Sequence, residues 1–216
     1  MSGAVHRLDT ESMPGTLPLF PLAGVLLLPH GNLPLNIFEP RYLNLAIDAL
    51  GQGRMIGMVQ PRQPQPDPLA DDTALYETGC AGRIVSFAET ADGRYLITLL
   101  GVSRFRILDE LEPASGYRRA HASYGPFAAD LGIDAGTTDR PRLLKAVKGF
   151  FRVKGLDADD GALDGAPDEA LVTSLSMLCP FDPREKQALL ECAGLSERGK
   201  LLTELMEMAL QESTYH

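Results

Sequence analysis

One stretch of the sequence has the spacing of a phosphate-binding loop. Residues 194–200, GLSERGK, match the G-x-x-x-x-G-K pattern, in which backbone N–H groups hold phosphates and the lysine neutralises their charge. Leu201, however, stands where a serine or threonine hydroxyl must reach magnesium, and the preceding residues have helical rather than strand periodicity. We therefore predict a turn between two helices here and not a nucleotide site.

Two further sets contain residue types that bind metals. Asp157, Asp159 and Asp160 precede Gly161 as in a calcium loop, but the glycine comes one position early and no glutamate closes the loop. No pair of histidines has the spacing of a zinc helix motif, the four being His6, His30, His121 and His216. We predict no metal and no cofactor, and an exposed acidic loop near residue 159.

Nucleophilic catalysis requires a serine, cysteine or threonine beside a base, and the sequence has no G-x-S-x-G elbow to fix that geometry. Cys80 lies next to a predicted strand, where packing is the expected role. Glu39 and Arg41 flank Pro40 and could act as an acid and a cation, but a structural bracket at a helix N-terminus is the favoured interpretation. We predict no catalytic residue. A hydrolase remains an alternative if Glu39 or Cys80 lines a pocket.

Arginines on predicted strands form a candidate nucleic-acid surface. Arg104 and Arg106 share one face of a strand. Neighbouring strands carry Arg83, Arg118 and Arg119. Next to Tyr117 and Tyr124 such a patch is typical of a β-surface RNA binder, although strand arginines more often pair with acidic neighbours. The formal net charge of -9 opposes binding to nucleic acid and to anionic lipid, so we expect protein or peptide partners instead.

Residues 17–42, LPLFPLAGVLLLPHGNLPLNIFEPRY, are as apolar as a buried helix, yet five prolines interrupt them. Proline lacks the backbone N–H and clashes with the preceding turn, which excludes a helix interior. Short strands are predicted instead over residues 17–22, 25–28 and 33–37, with a turn at 30–32. A helix is then predicted over residues 40–50, because Pro40 suits its first position.

The rest of the chain changes from strands to helices near residues 125–138. Further strands are predicted over residues 55–60, 82–89, 95–108 and 117–124, with a hairpin turn at 90–93. The proline-rich and acidic residues 60–72 predict an exposed arm. Apolar residues then recur at helical spacing in four stretches. Their start signals are Asp139, Pro167, Asp182 and Ser196.

Composition fits an α+β chain of ordinary globular type. Of its 216 residues, 44% are hydrophobic and 23% are charged. The expected organisation is a flexible N-terminus over residues 1–16, a β-rich part over 17–125 and a helical part over 139–213. Neither a signal peptide nor a membrane span is predicted. The three cysteines, Cys80, Cys179 and Cys192, lack a C-x-x-C pair and predict reduced core residues in the cytoplasm.

The quoted residues 17–42, and most specifically IFEPRY at 37–42, resemble the opening of the Lon protease N-terminal domain family. The later blocks ALYETGCAGRI, DGRYLITLLGVSRFRIL and EKQALLE resemble stand-alone bacterial members, so the resemblance extends from about residue 17 to the end. It implies a PUA-like β-barrel or folded sheet followed by a helical bundle. Ala23 stands where proline is usual. The implied family signature is Phe38, Glu39, Pro40, Arg41 and Tyr42.

The resemblance also implies binding rather than chemistry. A module of this family is expected to bind unfolded or extended polypeptide segments, in protein quality control or in delivery to a protease. Full Lon proteins hydrolyse ATP and cleave peptides. The 216 residues are too few for the ATPase domain or the peptidase domain, so this chain is not expected to be an enzyme. The alternative is an RNA-binding PUA-like protein that uses Arg83, Arg104, Arg106 and Arg118.

Overall fold

The computed structural model describes residues 10–63, 69–132, 134, 136–156 and 160–214. The chain divides into two compact units, Met1–Ile133 and Asp134–His216. The first is rich in strands and the second is helical, which confirms the predicted α+β class. No helix in the described ranges combines the length and the apolar character needed to cross a membrane.

Six strands and one α-helix make up the described part of the first unit. The strands are β1 (Thr16–Pro21), β2 (Asn32–Ile37), β3 (Met55–Val59), β4 (Thr78–Glu89), β5 (Tyr95–Ala114) and β6 (Tyr117–Ser123). Helix α1 runs over Pro40–Gly51, and a 3-10 helix at Gly125–Leu131 follows β6. Proline occupies the first turn of α1, where its missing N–H has no partner to lose, as the sequence predicts.

The sheet closes on itself through β5. Its order is β2-β5-β4-β3-β1-β6, and β5 also pairs with β6, so five strands form a ring. The pairing of β1 with β3 is parallel and the others are antiparallel. β2 stays outside the ring and pairs with β5 alone among the described strands. One long edge of β2 is therefore unpaired within the described residues.

β5 closes the ring because its two halves have different partners. Residues 95–100 pair with both β2 and β4, whereas residues 106–114 pair with β6. Register shifts in the β4–β5 pairing after Ala81 and Ile84, and in the β5–β6 pairing after Ile107, bend the strands where this exchange occurs. The predicted hairpin of β4 and β5 is confirmed, and both strands are longer than the sequence predicted.

The Phe105 ring occupies the centre of the barrel core. Its side chain is fully buried, and two glycines on neighbouring strands make room for it. A Cβ atom added to Gly57 would lie 2.9 Å from the ring, and one added to Gly79 would lie 2.7 Å from it. Leu17, Leu19 and other apolar side chains complete this cluster. Because these two glycines have no side chain, they leave the space that the Phe105 ring fills.

The predicted strand at residues 25–28 is wrong. These residues join no sheet, yet Leu26, Leu27 and Leu28 are buried. The segment crosses so close to β5 that a Cβ atom on Gly101 would lie 1.9 Å from the Leu28 carbonyl oxygen. The His30 N–H donates to the Gly101 carbonyl over 2.9 Å. Apolar burial explains the composition here without strand pairing.

A polar contact joins helix α1 to β6. The Tyr117 hydroxyl donates to Asp48 Oδ2 over 2.8 Å. Burial, and then the hydrogen bond and negative charge of Asp48, raise the pKa of Tyr117 to about 12. The phenol therefore stays protonated and keeps this bond across the physiological pH range.

The second unit contains five described helices, one more than predicted. They are α2 (Arg140–Lys154), α3 (Asp160–Gly165), α4 (Asp168–Leu178), α5 (Pro183–Glu191) and α6 (Leu195–Thr214). The additional helix α3 is a short turn inside the predicted loop. Asp139 caps α2, and Asp182 forms a capping box with Glu185 at the start of α5, as the start signals predict. All three cysteines are buried, and none of them forms a disulfide.

Ser196 is not the cap of α6, although the sequence suggested a start there. The helix begins at Leu195, and the Asp134 carboxylate accepts the Leu195 N–H over 2.6 Å. The Ser196 hydroxyl oxygen instead accepts the Thr137 N–H over 3.0 Å. The cap therefore comes from a residue 61 positions earlier, which no local pattern reveals.

Candidate functional site

A groove of about 270 Å³ lies where β1 ends, β2 ends and α1 begins. Residues 20–23, residues 35–39, Tyr42 and Leu69 line it. All but two of these side chains are apolar, the exceptions being Asn36 and Glu39. The volume falls just below the range of roughly 300–1,000 Å³ that is usual for small-molecule sites. It therefore suits one or two large apolar side chains better than a cofactor.

The predicted signature residues surround this groove. Phe38 and Glu39 line it, and Pro40 is the first residue of α1. Tyr42 is buried at the groove wall, where its ring stacks on Phe20 with 4.2 Å between the ring centroids. Phe38 stands in contrast to Tyr42, because it is 57% exposed despite its size. The signature thus supplies both a rigid wall and an accessible aromatic side chain.

The local backbone explains why these side chains converge. β2 ends at Ile37, and Glu39 takes an extended conformation at the N-cap of α1. The chain then reverses at Pro40, whose fixed φ suits the first helical turn. This reversal places the end of β2 opposite the residues that follow β1. The groove is the space between them.

Glu39 and Arg41 form the predicted bracket, but not by capping the helix. The Glu39 side chain accepts no cap hydrogen bond from the helix backbone. It accepts instead from Arg41 Nε over 3.0 Å, and Arg41 Nη2 lies 2.9 Å from the same oxygen. The only carboxylate among the described residues that line the groove is therefore neutralised by its neighbour on the helix.

Arg41 also fixes the segment that carries Leu69 to the groove. Its Nη1 donates to the Leu69 carbonyl and to Asp71 Oδ1, each over 3.0 Å. The guanidinium lies 4.7 Å from the centroid of the Tyr42 ring. Burial acts to lower the pKa of Arg41, but Tyr42, Glu39 and Asp71 together raise it. Arg41 thus stays charged and holds three parts of the site together.

Replacing Arg41 with glutamine is expected to lower the free energy of unfolding by about 1–3 kcal/mol, because hydrogen bonds from a charged donor to three partners are lost. The control is Arg62→Gln. Arg62 also contacts one carbonyl and one carboxylate, Leu75 and Glu77, but half of its side chain is exposed. We expect this control to cost less than about 1 kcal/mol in urea unfolding. Equal losses in the two variants would contradict the anchoring role of Arg41.

The groove offers Glu39 no partner for hydrolysis. None of the described residues that line it is a serine, threonine, cysteine or histidine. Cys80 is buried in β4 and does not line the groove. The hydrolase alternative required Glu39 or Cys80 to line a pocket. Of the two, Glu39 lines the groove, and its carboxylate is already paired with Arg41.

The predicted arginine surface is only partly present. Arg104 is 3% exposed, so its expected place on a basic surface is wrong. Its Nε and Nη2 donate to the two carboxylate oxygens of Asp130, over 2.9 and 2.7 Å. Asp130 lies on the 3-10 helix, which covers this part of β5. Sequence reasoning missed the pair because its members are 26 positions apart.

Two of the other arginines also form ion pairs or hydrogen bonds with acidic or carbonyl groups. Arg118 forms an ion pair with Glu110 and donates to the Thr73 carbonyl over 2.6 Å. Arg119 donates to the Glu112 carbonyl over 2.9 Å. Arg106 is exposed and Arg83 is half-buried. These contacts leave a dispersed set of cations rather than a continuous basic patch.

The stretch with phosphate-loop spacing is a turn into a helix, as predicted. Gly194 precedes α6, and a Cβ atom added to it would lie 2.9 Å from Asp134 Oδ2. A carboxylate thus lies at the helix N-terminus, where a phosphate would have to bind, and it would repel that anion.

No metal site is found among the described residues. No group of three or more His, Cys, Asp or Glu side chains there is placed to hold an ion. His30 and His121 belong to this part of the chain, and His121 contacts Asp109. The other candidate ligands, His6, His216, Asp157 and Asp159, lie outside the described residues.

Comparison with known families gives a match over most of the chain. The sequence-family model of the ATP-dependent protease La (LON) substrate-binding domain matches residues 16–208. The matched region begins at β1 and ends inside α6, so it includes the groove and both units.

Curated relatives are longer proteins. Lon protease of Anaeromyxobacter dehalogenans is 27% identical over 203 residues, which is 92% of this chain and 24% of that protein. Lon protease 2 of Myxococcus xanthus shows the same identity and coverage. Lon protease of Parabacteroides distasonis is 34% identical over 106 residues, or 48% of this chain and 13% of that protein. The chain thus spans about a quarter of the length of the first of these relatives.

Two solved structures share the fold. A Lon N-terminal domain protein from Xanthomonas campestris superposes with a TM-score of 0.60 at 24% identity, covering 88% of this chain and 97% of that one. The N-terminal domain of Lon protease from Mycobacterium avium complex gives a TM-score of 0.61 at 14% identity, covering 89% and 98%. The β-barrel and helical architecture is therefore one that solved domains also adopt.

Proposed function

Since the chain belongs to the ATP-dependent protease La (LON) substrate-binding domain family, we propose that it is a polypeptide-binding module whose binding site is the groove at Phe38. The observation that carries this proposal is a large aromatic side chain, 57% exposed, at the rim of an apolar groove. An exposed aromatic side chain next to a concave apolar surface is the arrangement that anchors many interfaces. The preferred ligands are unfolded or extended segments of other proteins.

The composition of the groove supports an apolar ligand. The Glu39 carboxylate is paired with Arg41, so a charged side chain that enters the groove beside it would lose its water without gaining a free counterion. An apolar side chain gives up no hydrogen bonds with water on entry, and its removal from water contributes roughly 25 cal/mol per Å² of buried surface. The groove should therefore select for aromatic and large aliphatic residues.

The biological role that follows is protein quality control. Segments rich in apolar residues are exposed by misfolded chains and are hidden in folded proteins. A module that binds them can deliver the misfolded chain to a protease, which we propose as its second partner. The three cysteines are buried and form no disulfide, which suits work in a reducing cytoplasm.

Replacing Phe38 with alanine is expected to weaken binding of an apolar peptide at least about tenfold, because a central aromatic anchor is often worth 2 kcal/mol or more. The probe is a fluorescein-labelled heptapeptide with a central phenylalanine between valines and a lysine at each end. Anisotropy measures its affinity, and the melting temperature should stay within a few degrees of the parent value because Phe38 is exposed.

The matched control is Phe87→Ala on β4. Phe87 is 42% exposed and does not line the groove, so its loss should leave peptide affinity within about twofold. Equal weakening by the two variants would place the binding site elsewhere. If the parent protein bound no apolar peptide above background, the proposed function would be wrong.

Labelled RNA at low salt tests the alternative function. We expect no binding, because Arg104 is buried and Arg118 is paired with Glu110. Binding that weakened steeply with added salt would show several phosphate contacts and would favour a nucleic-acid ligand instead.

A further inference from the structure

The groove lies against the unpaired edge of β2. Leu35, Asn36 and Ile37 are consecutive in this strand, and all three line the groove. Successive side chains of a strand point to opposite faces of the sheet, so a cavity lined by three in a row must face the edge of the strand. The other edge of β2 is paired with β5, which leaves the free edge as the one facing the groove.

Pro34 shows which backbone groups of β2 point toward this edge. It pairs with Thr98 of β5 but has no N–H to donate. Within sheets proline is tolerated where its nitrogen faces away from the partner strand. Because the direction of the backbone groups alternates along an antiparallel strand, the N–H and C=O of Asn36 also face the free edge. Asn36 therefore presents a donor and an acceptor to the groove.

We infer that a bound segment adopts an extended conformation and adds to the sheet as a strand on the free edge of β2, exchanging backbone hydrogen bonds with Asn36. The inference rests on the proposed function and specifies how the ligand is held. Strand addition uses backbone bonds for affinity and pockets for alternate side chains for selectivity. It would explain how one groove accepts many sequences, since the backbone groups are common to all of them.

The charges near the groove indicate which polypeptide segments would bind there best. Arg41 is balanced against two carboxylates, those of Glu39 and Asp71, which leaves one negative charge in excess. Asp71 is 86% exposed and lies beside Leu69 at the groove. The Asp92 and Arg94 charges at the hairpin turn cancel each other. A segment with an apolar centre and lysine or arginine at its ends therefore complements this site best.

The test compares two proline variants of the same strand. Asn36→Pro removes the N–H that faces the groove while leaving the pairing with β5 intact, as Pro34 does already. Asn32→Pro makes the same change on the same edge, four residues earlier and outside the groove. With the lysine-flanked heptapeptide as the probe, we expect Asn36→Pro to bind roughly tenfold more weakly and Asn32→Pro to bind within about twofold of the parent.

Hydrogen exchange of the parent protein provides a second measurement that needs no variant. The Asn36 amide should exchange at least about tenfold more slowly with the peptide bound, whereas the Asn32 amide should not change. Full affinity in Asn36→Pro, or an Asn36 amide that the peptide does not protect, would overturn strand addition. If Phe38→Ala still weakened binding in that case, the groove would remain the binding site and only the strand pairing would be wrong.

Discussion

The Asp130→Ala variant is expected to lose about 3–5 kcal/mol of unfolding free energy, because it leaves the Arg104 guanidinium buried without its counterion. The two side chains are 4% and 8% exposed, and the carboxylate accepts from Arg104 Nε, from Nη2 and from the Arg104 backbone N–H. Truncation removes all three bonds at once. A loss of this size would leave a barrel of ordinary stability largely unfolded at modest urea concentrations.

Asp92→Ala is the matched control for this charge pair. Asp92 also forms an ion pair with an arginine, Arg94, but both side chains are at least half exposed. Solvent weakens such pairs, so we expect a change below about 1 kcal/mol. Urea unfolding followed by circular dichroism measures both variants. If Asp130→Ala cost no more than Asp92→Ala, the 3-10 helix would not be a structural part of the barrel.

The Phe105→Ala variant is also expected to lose about 3–5 kcal/mol, since a fully buried aromatic ring is replaced by a cavity. Phe87→Ala on β4 removes the same atoms from a side chain that is 42% exposed, and we expect it to cost less than half as much. Thermal and urea unfolding give the two values. Similar losses would show that Phe105 is not the centre of the core.

The glycines beside Phe105 provide a sharper test of the same cavity. In the Phe105→Ala background, Gly57→Ala should recover part of the loss, because its new methyl group would enter space that the ring had filled. Gly79→Ala should not, since its Cβ would still lie 2.5 Å from the Met58 carbonyl oxygen. A rescue by both glycine variants would mean that the Met58 backbone moves readily.

Local patterns predicted the elements that depend on neighbouring residues. The hairpin of β4 and β5, the start of α1 at Pro40 and the caps at Asp139 and Asp182 all follow from short-range turn and capping chemistry. The failed phosphate-loop match at Leu201 was resolved in the same way, because a hydroxyl is required at a fixed position.

Such local patterns do not predict contacts between residues that are far apart in the sequence. No local pattern marks Asp130, yet it neutralises Arg104, and Asp134 caps a helix that begins 61 positions later. The apolar character of residues 25–28 predicts a strand. That character instead reflects burial of the segment against Gly101. In each case tertiary packing decides the outcome.

The groove was only half visible in the sequence. The signature residues 38–42 were identified through their family resemblance, and the structure places three of them, Phe38, Glu39 and Tyr42, in the groove lining. Nothing in the sequence showed that residues 20–23 face them across the groove, or that β2 has an unpaired edge. These features depend on the order of strands in the sheet, which a strand prediction does not provide.

The pairing of β1 with β6 also has a consequence during synthesis of the chain. Thr16 pairs with His121, so the ring cannot close until the ribosome has released residues about one hundred positions after β1. At ordinary elongation speeds of 5–20 residues per second, this interval lasts roughly 5–20 seconds. Throughout it, the apolar residues 17–28 have no barrel to enter. A protein proposed to capture exposed apolar segments therefore presents one of its own while it is being made.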